Sequence, residues 1–493
     1  MSALSYLDLL HLVLPQVIVV VAALVVLSVD LIFLRTSETH LRAVVAAIIS
    51  VAGCTAAILW ILHAPHSANV LDGMLVLNHL AQRMQITLLI LTSLTILVFI
   101  ESTFTQHISE YMALILLATV SMMFLVSTQN LLIIFLSLEL LSLSLYVLTG
   151  FNKRSARSAE SALKYFLFGG ISAAFLLFGA SLLYGLSNST NLERIANSIP
   201  EIVHGPFLDP LLIVAIVMTI VGLGFKVAAV PFHFWAPDVY QGAPVPSAAF
   251  IASGSKVAAF FIFYQVMVIG FAGAEGSSSW SGYAPGWVPA LAVVAALSMV
   301  LGNLVAILQT SVRRLLAYSA VSHAGYMLLG ILSHSDQSFR ALLYYAITYA
   351  LTVLGAFGVI ALVEEETGGD ALSNFAGLSR RAPVPSFCLL IFLLSLAGIP
   401  PLAGFFGKFY LFSSVLTSSP AAIGLLWLVV LAIAMSAVSL YYYLKVLKYV
   451  YVLDPPAGIT PRRISLVRQF VLCVMALGVL LLGCAPNLLL RWL

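Results

Sequence analysis

Seven ionisable side chains stand inside or beside long apolar runs: Glu139, Lys164, Lys226, His233, Lys256, His323 and Lys408. Each type can take up a proton and give it back. Glu139 falls midway through "FLSLELLSLSLYVLTG", where an unpartnered charge costs ~2.5–3.5 kcal/mol on insertion scales. An aqueous cavity or a cation offsets that cost. Lys164, in "SALKYFLFGG", is the nearest of the embedded lysines in sequence and the expected partner of Glu139. Pairing favours the ionised acid and desolvation the neutral one, so a pair that separates can switch. Lys226 lies five residues before Pro231 in "VGLGFKVAAVPFHFWAPD". Burial disfavours the charge of a lysine, and a broken helix there opens a route for water. His233 follows the break, and an imidazole titrates near neutrality. Lys256, in "AFIASGSKVAAFFIF", has the small neighbours Ala252, Ser253 and Gly254, which let helices approach closely. His323 and Tyr326 make a polar patch in "AYSAVSHAGYML", and Lys408 follows "GIPPLAGFFG". The chemistry these residues share is proton transfer. Static roles compete: a fixed ion pair for Glu139, snorkelling for Lys164 and Lys408, packing for the two histidines.

The elements that must hold them are membrane spans. Of 493 residues, 62% are hydrophobic and 8% charged, against about 25% charged in soluble domains. The net charge of +3, with no basic tract, gives no sign of nucleic acid. Cys54, Cys388, Cys473 and Cys484 lie in apolar segments without a CxxC pair. They read as small buried hydrophobes, and no metal site is expected. The first apolar stretch lacks a basic leader, so it is expected to be a retained span.

About 20 apolar residues cross a bilayer as a helix. Fourteen such spans are expected, near 11–34, 43–62, 78–100, 111–127, 130–150, 162–186, 209–229, 244–271, 287–308, 315–333, 339–363, 385–412, 421–447 and 466–490. Connections after odd-numbered spans carry Arg35, Arg42, Lys153, Arg154, Arg157, Arg313, Arg314, Arg380, Arg381, Lys448, Arg462, Arg463 and Arg468. The even side carries only Arg83, Arg194, Arg340 and Arg491. The positive-inside rule puts the odd connections in the cytoplasm and both termini on the periplasmic side.

Two breaks resemble each other: "KVAAVPFHFWAPD" in the seventh span and "SLAGIPPLAGFFGKFYLF" in the twelfth. Proline removes a backbone donor and clashes with the preceding turn. Such breaks survive at membrane depth only against protein or a wet cavity. They are five spans apart, so spans four to eight and nine to thirteen form two inverted repeats, each with a discontinuous helix. Lys408 reads as the counterpart of Lys226. The expected division is an N-terminal three-helix segment (1–110), a first repeat (111–271), a second repeat (287–450) and a final span (466–493).

The motifs quoted above, with "GFKVAAVPFHFWAPDVYQGAP", "GSKVAAF" and "LLAYSAVSHAGYML", resemble subunit N of bacterial-type respiratory complex I, the proton-pumping NADH:quinone oxidoreductase. That family is similar to Mrp-type cation/proton antiporter subunits. The resemblance covers almost the whole chain. It implies a fourteen-helix fold and proton-relay roles for Glu139 with Lys164, Lys226, Lys256 and Lys408, with His233 and His323 as bridging polar positions. Lys408 stands where the related subunit M usually has glutamate. The chain stops after span fourteen, so the long lateral helix of subunit L is not expected. The resemblance also implies a translocase subunit of the bacterial inner membrane with no redox site and no cofactor of its own. NADH, FMN, iron–sulfur clusters and quinone are expected in partner subunits. The expected partners are the antiporter-like subunit M, small subunits such as K and J, the peripheral redox arm and membrane lipids. An Mrp-type sodium/proton antiporter subunit and a non-pumping scaffold are the competing readings.

Overall fold

The computed structural model describes residues 6–63, 67–102, 104–202, 208–279, 282–417, 423–455 and 464–493. Arg462 and Arg463, counted above for orientation, lie outside the described residues. Among the described residues, thirteen helices are long and apolar enough to cross a membrane. The first five spans are Tyr6–Val29 (continued by a π-helical turn, Asp30–Leu34), Thr39–His63, His79–Val98, Ile108–Leu125 and Leu131–Thr149. The sixth is Ala156–Ser187. The seventh is Pro210–Val227, and a short helix, Trp235–Gly242, lies beyond its break. Spans nine, ten and eleven are Trp287–Ile307, Val312–Leu332 and Asp336–Thr367; thirteen and fourteen are Leu426–Tyr451 and Leu466–Cys484. The expected twelfth span is two shorter helices, Pro383–Ala397 and Ala403–Thr417. It therefore joins the thirteen as a broken fourteenth segment. The eighth span is also interrupted: Val245–Ala252 stops at Ser253 before Gly254–Tyr264 resumes, and a π-helical turn, Gln265–Gly270, closes it.

The backbone carries the inverted repeat in two ways. At the start of the fifth span, Leu131 N–H donates to Thr190 O (2.8 Å) and Leu192 N–H to Gln129 O (2.9 Å). At the start of the tenth, Val312 N–H donates to Asp370 O and Leu372 N–H to Thr310 O, both at 2.9 Å. The second span of each repeat is thus tied to the chain leaving the third by the same bridge. Five crossings separate the copies, which puts the bridges at opposite ends of the bundle. Asn130 and Ser311 cap the two helices with side-chain oxygens, as residues of these types do.

The breaks match atom for atom. Ala228 (φ +60°) and Gly398 (φ +87°) are both left-handed. Ala229 N–H reaches Gly224 O at 2.9 Å, and Ile399 N–H reaches Leu394 O at 3.1 Å, the six-to-one bond that closes a helix C-terminus. Phe232 N–H then donates to Ala229 O, and Leu402 N–H to Ile399 O. Each break contains a cis X–Pro peptide. Donors freed by the breaks find serines: Val230 N–H bonds Ser298 Oγ at 2.9 Å, and Gly404 N–H bonds Ser395 Oγ at 3.1 Å. Gly404 is required there, because a Cβ would lie 1.9 Å from Ser395 O.

The core is densest in spans eight, ten and eleven, and large parts of spans one, two and six face outward. Cys54 and Cys388 are buried as expected, but Cys473 and Cys484 are exposed. The outward face of the fourteenth span is as apolar as its inner face, so apolar neighbours alone do not mark a buried cysteine.

Candidate functional site

The expected Glu139–Lys164 pair does not form in this structure. Lys164 Nζ donates instead to Glu160 at 2.7 Å, one turn back, and to Asp238 Oδ2 at 2.9 Å, beyond the first break. The other oxygen of Asp238 accepts from Arg314 Nη1 at 2.8 Å. Asp238 therefore ties the sixth span in one repeat to the tenth in the other. Its helix lies outside the apolar spans. Burial pushes the Asp238 carboxyl up, but the bonds from Lys164 and Arg314 outweigh burial and hold it below its usual range.

Lys226 Nζ donates to Ser142 Oγ, and Glu139 lies within electrostatic reach of that ammonium. Glu139 and Ser142 are three residues apart, on one face of the fifth span. The lysine of the broken helix, rather than the lysine of the next span, is thus held one turn from the acid on the fifth span.

Lys256 is 2% exposed. Its Nζ donates to Ala320 O at 2.9 Å and lies 5.7 Å from the centre of the Tyr349 ring. The interruption at Ser253 is three residues away and turns the lysine towards the tenth span. Ala320 is one turn from His323, which is fully buried. Tyr345 Oη bonds His323 Nδ1 at 2.7 Å, and Tyr443 Oη bonds Nε2 at 3.1 Å. His323 lies within electrostatic reach of both Lys256 and Lys408.

Lys408 is 4% exposed. Its Nζ donates to Leu396 O (3.0 Å), Ala397 O (3.1 Å) and Ser436 Oγ (2.8 Å), and sits 5.2 Å from the Tyr326 ring centre. The first two acceptors are orphan carbonyls at the end of Pro383–Ala397, where a helix favours a cation. Snorkelling does not describe this lysine, because it folds back onto the break. His233 is buried and stacks on Phe234 with ring centres 4.6 Å apart. Among the described residues no hydrogen bond joins it to Lys226 or Lys256. Lys445, outside the row, donates to Ile307 O at 3.3 Å.

The energies of these environments are close to balance. Holding a charge at membrane depth costs ~2.5–3.5 kcal/mol. A hydrogen bond to a charged group returns about 1.5–3 kcal/mol, and a desolvated cation–π contact about 2 kcal/mol. A change in one neighbour is enough to tip such a site. The sequence reading did not find Ser142, Asp238, Arg314, Tyr345, Tyr443 or Ser436 as partners. The adjacent pair Arg313–Arg314 at the start of an apolar span was the available signal.

This geometry defines a class: an inverted-repeat membrane protein with titratable groups at its helix breaks. A family described as NADH:quinone oxidoreductase/Mrp antiporter, TM, matches residues 128–436. NADH-quinone oxidoreductase subunit N 2 of Acidobacterium capsulatum is 57% identical over 503 residues, covering 100% of both chains. Subunit N of Anaeromyxobacter sp. is 35% identical over 97% of this chain and 94% of that one. A chain of respiratory complex I from Thermus thermophilus superposes with a TM-score of 0.78 at 32% identity, over 97% of this chain and 98% of that one. A chain of the Mrp complex from Dietzia sp. shares the fold alone, with a TM-score of 0.81 at 20% identity over 98% and 96%. The chain belongs to the subunit N family of NADH-quinone oxidoreductases, which is related to the Mrp antiporter subunits.

Proposed function

We propose that this chain translocates protons outward as the N-type membrane subunit of an NADH:quinone oxidoreductase. The observation that carries this reading is the series of half-buried Lys226 and buried Lys256, His323 and Lys408, at or beside interrupted helices and each with a replaceable partner. Quinone reduction in partner subunits changes the field or conformation felt by Glu139. Lys226 and Lys256 respond by exchanging protons, His323 bridges towards the second break, and Lys408 loads or releases at the outer end. Lys164 and His233 take supporting places, Lys164 through Asp238. The reading divides the chain at 1–110, 111–271, 287–450 and 466–493. It sets the termini on the periplasmic side of the bacterial inner membrane. NADH, FMN, iron–sulfur clusters and quinone belong to partner subunits. Subunits M, K and J and the peripheral arm complete the assembly. Full-length identity of 57% to a named subunit N favours this over the Mrp reading.

The test is purification of the tagged chain from membranes, followed by pumping assays on proteoliposomes with Lys408→Gln. The reading expects quinone-linked oxidoreductase subunits to co-purify and the variant to pump fewer protons per electron. Co-purification with small Mrp proteins instead, or unchanged pumping in an assembled variant, would contradict it.

A further inference from the structure

A polar cavity of about 410 Å³ opens beside Gln241–Pro244, where the seventh span passes into the eighth. Its wall includes Asn152 and Ser155, after the fifth span, and Gly368, after the eleventh. All these connections follow odd-numbered spans, the side rich in Lys and Arg, so the cavity faces the inner aqueous phase. It is large and polar enough to hold several waters. Arg313 and Glu364 project into it.

Arg313 is 5% exposed. Its Nη1 pairs with Glu364 at 3.1 Å. Its Nε donates to Tyr240 O at 2.7 Å, and its Nη2 donates to Ala243 O. The guanidinium therefore holds the end of the helix beyond the first break and the carboxylate together. Glu364 also feels Asp370 and Arg157, while its neighbour Glu365 is held by Arg468. Two fully buried or nearly buried hydroxyls with no hydrogen-bond partner among the described residues point the way inward: Tyr240 Oη and Tyr349 Oη. The Tyr240 ring packs edge-on to Phe357 of the eleventh span, with centres 5.8 Å apart, and lies within electrostatic reach of Tyr349. Tyr349 is the ring beside Lys256. From Glu364 to Tyr349 is fifteen residues of one helix, or about 22 Å.

We propose that this vestibule is where the chain takes up protons from the inner aqueous face, with Glu364 as the first group to load and the Tyr240 and Tyr349 hydroxyls leading towards Lys256. The inference rests on the relay reading above. A hydronium gives its proton to a Glu364 carboxylate oxygen and leaves as water. Protonated Glu364 releases Arg313, whose guanidinium stays on the Tyr240 and Ala243 carbonyls. Each hydroxyl or water further in accepts one proton and passes on another, so Lys256 gains the charge that the vestibule lost.

The test uses the intact complex in membrane vesicles, with the exposed Cys473 and Cys484 replaced by alanine. Glu364→Cys is treated with a charged, membrane-impermeant methanethiosulfonate from each face in turn. Labelling from the inner face, and none from the other, is expected. Glu364→Gln should lower the proton-to-electron ratio of the assembled complex, Glu364→Asp should restore it, and Tyr349→Phe should lower it. Absence of inner-face labelling overturns the vestibule. Unchanged ratios in Glu364→Gln and Tyr349→Phe, with a loss in Lys256→Ala, overturn the uptake role and leave the relay standing. An unchanged ratio in all three overturns the relay as well. If Glu364→Gln fails to assemble, the labelling and Tyr349→Phe decide.

Discussion

Asp238 and Lys408 occupy the same position in the two breaks, ten residues beyond the left-handed residue of each, from 228 to 238 and from 398 to 408. They carry opposite charges. The acid reaches out to two cations on different repeats, whereas the lysine reaches back to the carbonyls of its own break. Lys226 precedes its break and Lys408 follows, so the two lysines are not counterparts in the repeat.

Asp238→Asn should uncouple the repeats while leaving the fold intact. All three partners are partly exposed, with side-chain exposures of 40%, 28% and 30% for Lys164, Asp238 and Arg314. Such pairs contribute at most about 1 kcal/mol each. The wild-type carboxyl is held below its usual range, so its stabilisation is fully present at neutral pH and is lost as pH falls through that lowered value. Thermal inactivation of the purified complex should change little with the variant at pH 7, while its proton-to-electron ratio falls. A large stability loss with normal pumping would show a purely structural bridge.

Ala228→Gly should stabilise the protein. A left-handed alanine carries a penalty of roughly 1 kcal/mol that glycine avoids, and Ala228 is the non-glycine member of the two matched turns. Gly398→Ala should lose a similar amount and also press a Cβ against Lys408, whose Nζ would lie 3.3 Å away. Midpoints of thermal inactivation that move in opposite directions would bear this out; shifts of the same sign would refute it.

Much of this architecture was readable from residue order. Long apolar runs gave the spans, and Pro231 and Pro400–Pro401 gave both breaks, because proline forbids the continuing hydrogen bonds. The interruption at Ser253 has no proline, and an apolar run conceals it. Lys164 was matched to Glu139 because they are close in the chain, yet its long-range partner Asp238 is 74 residues away. Which faces meet is decided by helix rotation and by chain that returns after a break, and neither leaves a periodic trace. Tyr345 and Tyr443 carry no mark in the sequence as partners of His323, because three spans must come together before they meet.

Tyr345→Phe and Tyr443→Phe should each strip one partner from a buried imidazole. An unsatisfied buried group costs about 1–3 kcal/mol. Both hydroxyls serve one ring, so the double variant should depart from additivity. Stability and pumping measured over the four-member cycle check this, and strict additivity in both would mean that His323 is not the shared centre.

The proton-to-electron ratio of the assembled complex carrying Lys226→Ala, reconstituted into sealed liposomes, tests the account most directly. Lys226 joins the Glu139 face of the fifth span to the first break. The account predicts that electron transfer to quinone continues while fewer protons cross per electron. A fully assembled variant that pumps at the wild-type ratio would contradict it.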